Sequence, residues 1–402
     1  MLNMECKWHG FTVPDRFYSL DAMRGLAALV VVIYHYPQFF FARRLETGNP
    51  GNPGITGDHA YIAFYTAKKI PFFDFFLVCY EDGWLAVDLF FGLSGFIFYW
   101  LFASKIKNST LSLRNFSVNR FSRLYPLHFL TLIWVAGVLL ISKKKHIDFD
   151  FYDHDDRINF FLNLTFTSSW GFGDWHSFNS PIWSVSVEVL LYIMFFFLSR
   201  YFSSKSVILV LIAFSGLFFV YEINHQIGHG IFSFFLGGGT YYLYERIVVS
   251  NRTREITSYL IVVCAVMWIL GTIGVYRQWS LLEKTPIFWR FTFIPAVVIF
   301  QTTILTFSLV ETRWKDIGKS LSLLGDISYS VYLIHFPLQI TVLTLIVFFQ
   351  QSQEIFYNPY VFFAFFTILL ISSVASHYYF ERPLQRYLRG KFITLVSSGG
   401  IK

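Results

Sequence analysis

Long apolar runs, each broken by a short polar or charged cluster, set the pattern of this chain from end to end. A run of about 18 residues or more can cross a hydrocarbon layer roughly 30 Å thick as a helix. Ten such spans fit the pattern, over residues 20–41, 84–104, 123–142, 183–199, 206–223, 231–247, 257–275, 291–311, 328–349 and 358–380. Helix is required because lipid offers no partner for backbone amides. The clusters between the spans orient them. Leaving out Arg24, inside the first span, 20 Lys and Arg fall on the side of the N-terminus and 11 on the other. The segment between the second and third spans is decisive: it holds Lys105, Lys107, Arg114, Arg120 and Arg123 and no acid. The positive-inside bias then places both termini in the cytoplasm. The expected fold is an all-α polytopic integral membrane protein of about ten transmembrane helices. A cytoplasmic tail, 1–18, leads into a transmembrane domain, 19–389, and a second cytoplasmic tail, 390–402, follows.

Two outer loops are long. Residues 42–83 contain ETGNPGNPGITGD, a loop by its Gly and Pro content, and then IPFFDFFLVCY. The latter is aromatic but too short and interrupted to span, so an interfacial or re-entrant segment is expected over 61–80. Residues 143–182 carry the acidic run DFDFYDHDD and then WGFGDWHSFNSPIW. No repeat at a fixed period and no low-complexity linker divides the chain.

Composition agrees with a membrane protein. The 402 residues are 55% hydrophobic and only 14% charged, with 50 Phe. With a mean hydropathy of +0.50, this excludes an ordinary soluble globular protein. The net charge of +7 fits cytoplasmic loops better than a nucleic-acid partner. Cys6, Cys79 and Cys264 share no metal-ligand spacing, so neither a disulfide nor a thiolate metal site is expected. The first span lacks a clear A-x-A site and carries charge, unlike a cleaved leader.

The polar residues inside the spans are the candidate chemistry. In SLDAMRGLAALVVVIYHY, Arg24 and His35 are eleven residues apart. On a helix they share a face, roughly 16 Å apart along the axis. They read either as a snorkelling arginine and a satisfied core histidine, or as an anion anchor and a general base. In GWLAVDLFFGLSGFIFYW, Asp88 is a candidate to orient His35 or a capping carboxylate, and Gly92 and Gly95 admit close helix approach. Arg120 and Arg123 share one helical face, which suits a bidentate grip on phosphate or contact with lipid headgroups. In NSPIWSVSVEVLLY, Glu188 lies within the membrane and needs a partner or a cavity. Asn179, Trp183 and Ser184 would line the outer mouth, with Trp183 either a platform for a sugar ring or an interfacial belt residue. His335 in GDISYSVYLIHFPL reads as a core histidine or a substrate contact. Arg382, Arg386 and Arg389 close the cytoplasmic end of the last span. His225 and His229 have helical metal spacing without an evident third ligand, and the acidic run lacks the pattern of an EF-hand loop. No P-loop or dinucleotide fingerprint occurs, and no metal is expected.

The segments LDAMRGLAALVVVIYH with its R-x10-H, VDLFFGLSGF, the R-x-x-R at Arg120–Arg123, PIWSVSVE, SYSVYLIHFP and ERP follow in that order from about residue 19 to 389. As an ordered set they resemble the bacterial transmembrane acyltransferase-3 family. Ala22-Met23 departs from the glycine common in relatives before the arginine, which touches helix packing more than chemistry. The resemblance implies an O-acyltransferase of the bacterial cytoplasmic (inner) membrane. It would move an acetyl or other short acyl group from cytoplasmic acetyl-CoA to a hydroxyl of an extracytoplasmic glycan, such as lipopolysaccharide O-antigen or exopolysaccharide. Acyl-CoA, a lipid-linked or surface glycan and membrane lipid would be its partners. Arg24, Arg120 and Arg123 would meet the donor's phosphates. His35 would be the general base, with Asp88 or Glu188 steadying it, and Asn179, Trp183, Ser184 and His335 would serve the acceptor. The rival class is a glycan flippase or a proton-coupled carrier relaying through His35 and Glu188. The paired halves with broken helices common in carriers are not visible in the sequence.

Overall fold

The computed structural model describes residues 7–8, 11–12, 14–40, 42–44, 69–149, 156–173, 177–202, 206–250, 252–276 and 289–397. The chain runs through α1 (Tyr18–His35), α2 (Leu77–Asp82), α3 (Ala86–Phe98), α4 (Leu113–Lys144), α5 (Arg157–Leu164), α6 (Trp183–Tyr201) and α7 (Ser206–Glu222). It continues through α8 (His225–Val249), α9 (Thr253–Tyr276), α10 (Gln301–Arg313), α11 (Ser322–Phe348), α12 (Pro359–Ala375) and α13 (Arg382–Ser397). Beside these lie two small antiparallel pairs, β1 (Lys7–Trp8) with β2 (Phe11–Thr12), and β3 (Ala42–Arg44) with β4 (Ile147–Phe149). The second pair joins the two long loops, which no local sequence pattern announced.

Among the described residues, seven helical stretches are long and apolar enough to cross a membrane: Leu77–Lys107, Leu113–Lys144, Ser180–Tyr201, Thr253–Tyr276, Ile294–Arg313, Lys319–Phe348 and Pro359–Phe392. Ten were expected. The three that fall short are α1, which carries Asp21 and Arg24 in 18 residues, α7 with 17 residues, and α8, rich in Gly, His and Tyr. The second predicted span, 84–104, also starts earlier than expected. From Leu77, α2 continues into α3 and, through a π turn at Tyr99–Ala103, to Lys107. The part of the proposed re-entrant segment over residues 61–68 lies outside the described residues. Helix α4 begins ten residues before its predicted span and has 32 residues, about 48 Å, so it outruns a bilayer core of about 30 Å. Arg120 and Arg123 therefore sit on the body of a helix.

The described fold divides into two compact units made of interleaved segments. The first comprises residues 1–30, 82–113 and 187–328, and the second residues 31–81, 114–186 and 329–402. The chain passes from one to the other within α1, α2, α4, α6 and α11, so no single linker separates them.

In the first unit, α3 and α8 pack with their backbones almost touching. A Cβ at Gly95 would overlap the Phe234 carbonyl, and one at Gly237 the Gly92 carbonyl. The expected role of Gly92 and Gly95 in close helix approach is seen directly. The start of α1 is held from α10. Glu311, 1% exposed, accepts from the Tyr18 amide at 2.9 Å, the Ser19 amide at 2.7 Å and the Ser19 hydroxyl at 2.6 Å. A carboxylate thus caps the positive end of a helix from a distant part of the chain. Arg16 bridges Asp21 and Asp326, each at 2.6 Å. Burial works against the Arg16 charge, but the two carboxylates outweigh it and hold its pKa above the usual arginine value. Most of α9 faces outward, as suits a helix that is apolar all round.

In the second unit, polar pairs join α4 to α11. Trp134 Nε1 donates to Thr341 Oγ1 at 3.0 Å, and Tyr329 Oη donates to the Leu124 carbonyl at 2.6 Å. Between helices in lipid, small polar residues of this kind hold where hydrophobic burial does not discriminate. The helical part of α1 ends at His35, and Pro37 enforces the following tighter turn, Tyr36–Phe40. That turn is anchored by Tyr36 Oη on the Phe356 carbonyl at 2.9 Å and by Phe39 stacked on Phe356 at 4.1 Å.

Candidate active site

Three side chains of α11 build the site in the second unit. Tyr332, His335 and Gln339 are spaced three and four residues apart, so they lie along one face of the helix. His335 is fully buried, and its Nε2 lies 3.1 Å from His35 Nδ1, with the two rings stacked at 5.1 Å and 20°. One turn further, Gln339 Nε2 donates to the His35 carbonyl at 2.7 Å. This bond occupies a carbonyl that the end of α1 would otherwise leave open. One turn earlier, the Tyr332 hydroxyl meets Ser184 Oγ at 2.7 Å and the Pro181 carbonyl at 2.8 Å. Asn179, also fully buried, donates from Nδ2 to the Leu333 carbonyl at 3.2 Å. Its Oδ1 is buried with no hydrogen-bond partner among the described residues. Trp183, half-buried, starts α6 beside these groups in sequence.

Across the His335 Nε2–His35 Nδ1 contact one ring donates and the other accepts. His335 Nδ1 is buried with no hydrogen-bond partner among the described residues. With Nδ1 of His35 engaged by His335, its Nε2 is the nitrogen left over. The ring is half-buried and carries an open basic nitrogen while its other nitrogen is fixed.

Arg120 and Arg123 belong to the same unit. Both are half-buried on α4, and the charge of Arg123 acts on Glu381 and on Arg389. Arg24, Asp88 and Glu188 belong to the first unit. Arg24 lies 3.5 Å from Asp21 and 3.4 Å from the Gly325 carbonyl. Glu188 accepts from Ser94 Oγ at 2.9 Å. Asp88, 3% exposed, receives Ser233 Oγ at 2.8 Å and His229 Nδ1 at 3.2 Å, and His229 Nε2 meets His225 Nε2 at 3.3 Å. Within the first unit Asp88 is engaged by His229 and Ser233, and within the second unit His35 is engaged by His335.

Sequence reasoning missed several of these groups. Tyr332 and Gln339 had a usable signal, the three- and four-residue spacing from His335. The pairing of His229 with Asp88, 141 residues apart, had none. Nor did that of His128, fully buried, whose Nε2 lies 2.8 Å from the Asn163 carbonyl.

A family model described as an acyltransferase domain matches residues 17–377, nearly the whole chain. The chain belongs to the acyltransferase-3 family. Among curated proteins, it is 32% identical over 127 residues to protein 2 of the picA locus of Rhizobium radiobacter. That alignment covers 32% of this chain and 48% of the relative, so the chain matches about half of the relative's length. No solved structure matches. The family match runs through His35, Arg120, Arg123, Asn179 and His335 and stops short of Arg389.

Proposed function

We propose that this member of the acyltransferase-3 family is a multi-pass enzyme of the bacterial cytoplasmic membrane. It moves an acetyl or other short acyl group from acetyl-CoA to a hydroxyl of an extracytoplasmic glycan. The observation that carries this reading is the His35–His335 pair, in which one imidazole nitrogen is held and the other is open. A general base needs a lone pair within hydrogen-bond reach of the proton it removes. His35 Nε2 takes the hydroxyl proton as the hydroxyl oxygen bonds to the thioester carbonyl carbon. The carbon–sulfur bond then breaks, and the CoA thiolate leaves and is protonated by the imidazolium, which returns His35 to its starting state. The Nδ1 contact to His335 keeps the ring in the productive tautomer and spreads the transient positive charge.

Arg120 and Arg123 hold the donor's phosphates, as planar guanidinium forks suit. Arg24 contributes to donor binding, which its neighbours Asp21 and the Gly325 carbonyl leave open to test by R24Q. Asn179, Trp183 and Ser184 serve the acceptor, Asn179 through its unpartnered Oδ1 and Trp183 as a sugar platform. With His335 at Nδ1, the roles of Asp88 and Glu188 reduce to local electrostatics, testable by D88N and E188Q. The experiment is mass spectrometry of surface glycan from a knockout complemented with wild type or H35A. An ester absent from the knockout and the H35A strain, with normal membrane levels of the variant, supports the reading. A wild-type ester level with H35A would remove the base.

A second reading is a proton-coupled carrier. The hydrogen-bonded chain from exposed His225 through His229 to buried Asp88 favours it, because such a chain suits proton transfer. Glycan reaching the surface in normal amounts in the knockout, lacking only its ester, would exclude carriage.

A further inference from the structure

We propose that Asn179 is a positioning residue for His335, its side chain supplying the helical hydrogen bond that Pro337 takes from α11. The inference rests on the reading of the His35–His335 pair given above. It gives the Nδ2 end of Asn179 a task of its own, beside that of Oδ1 toward the acceptor.

In an α-helix each carbonyl accepts from the amide four residues further on. The Leu333 carbonyl falls four residues before Pro337, which lies inside α11 and has no N–H to give. The proline ring also crowds that carbonyl and turns it out of the helical line. The turn that lacks its bond, Leu333 to Pro337, is the one that carries His335. Leu333 and Asn179 are both fully buried, so bulk water does not answer the carbonyl. Asn179 Nδ2 does, at 3.2 Å.

The segment around Asn179 is built to hold that amide in place. The Ile182 amide donates to the Asn179 carbonyl at 2.8 Å and closes the short turn Ser180–Ile182, whose backbone Pro181 stiffens. The same turn is tied to α11 a second time, by Tyr332 Oη on the Pro181 carbonyl. On the other side of the proline, Thr341 Oγ1 donates to the Pro337 carbonyl at 2.7 Å and accepts from Trp134 of α4. The weakened turn is thus braced from both ends, and every group named here belongs to the second unit. A helix with an interior proline bends there when nothing opposes it. A bend between Leu333 and Pro337 carries the His335 ring away from His35, and a contact of 3.1 Å has little room to lengthen before it ceases to be a hydrogen bond.

The test uses the full chain, labelled with 15N-histidine and reconstituted in phosphatidylcholine bilayers. Solid-state spectra record the through-space correlation between His35 Nδ1 and His335 Nε2, assigned by its loss in H35A and in H335A. The His225–His229 contact of the first unit is the internal reference. Ester on surface glycan per folded molecule is read in parallel. N179A is expected to abolish the His35–His335 correlation, to leave the reference unchanged and to lower the ester about tenfold. N179L, close to asparagine in size, does the same and supplies the readout if N179A melts early. P337A returns an N–H to α11, so P337A alone keeps the correlation, and N179A/P337A recovers it with part of the ester. Any loss that persists in the double variant belongs to Oδ1. A correlation that survives N179A and N179L overturns the proposal, as does one that P337A alone destroys or that the double variant fails to recover. If N179A lowers the ester equally with Pro337 and with Ala at that position while the correlation persists, Asn179 acts on the acceptor alone and the His35 base stands. If H35A forms the wild-type ester, the base falls, and the correlation still decides the brace.

Discussion

The two units each hold a pair of histidines joined nitrogen to nitrogen, and the pairs differ in what is left over. In the first unit His229 has both nitrogens committed, Nδ1 to Asp88 and Nε2 to His225. In the second unit His35 has Nδ1 committed to His335 and Nε2 open. A saturated imidazole supports its neighbours, because removing it leaves a buried carboxylate short of a donor. An imidazole with an open nitrogen can take a proton from something else. The contrast separates an imidazole with both nitrogens committed from one with a nitrogen left over, and sequence spacing alone did not distinguish them.

The largest expected effect breaks the second pair at its open end. H35A should lower acylation by roughly 10²- to 10⁴-fold, the usual worth of a positioned base, with an unchanged melting temperature in detergent. Next comes the saturated pair. H229A leaves Asp88, 3% exposed, with Ser233 as its remaining donor among the described residues, so it should cost about 3 kcal/mol of stability, read as a drop in melting temperature. The ester formed per folded molecule should not change; if it fell as far as with H35A, the two pairs would not differ in kind. H335A should be milder than H35A, about 10- to 100-fold in rate, because it frees the tautomer without removing the base. H335N or H335Q, which can restore a partner at Nδ1 of His35, should recover part of it. The smallest effect sits away from both pairs. W134F loses the bond to Thr341 and should cost about 1 kcal/mol with activity intact.

Much of the fold was legible because helix formation in lipid is forced by backbone hydrogen bonding, and long apolar runs record that demand residue by residue. Where the count differed, the reason is local. Helices α1 and α8 dilute their apolar length with charge, glycine or histidine, which the protein interior tolerates through partners such as Glu311 and Asp88. The glycines of α3 were read correctly because a missing Cβ has one frequent use between helices, and Gly95 against Phe234 is an instance. Candidate site residues were legible as types but not as pairs. Arg24 and His35 share a helix, so their spacing could be reckoned, whereas the partner of His35 lies 300 residues away.

By itself, then, the sequence determined that this chain is built of membrane-length helices with arginines and histidines at particular positions along them, because periodicity and apolar length act along the chain. Only the tertiary structure decided that His335 pairs with His35, that His229 pairs with Asp88, and that Arg389 meets Ser122 and Asn119 of α4. Each of these is a contact between segments distant in sequence, and hydrogen-bond partners are chosen by what packing brings within about 3 Å.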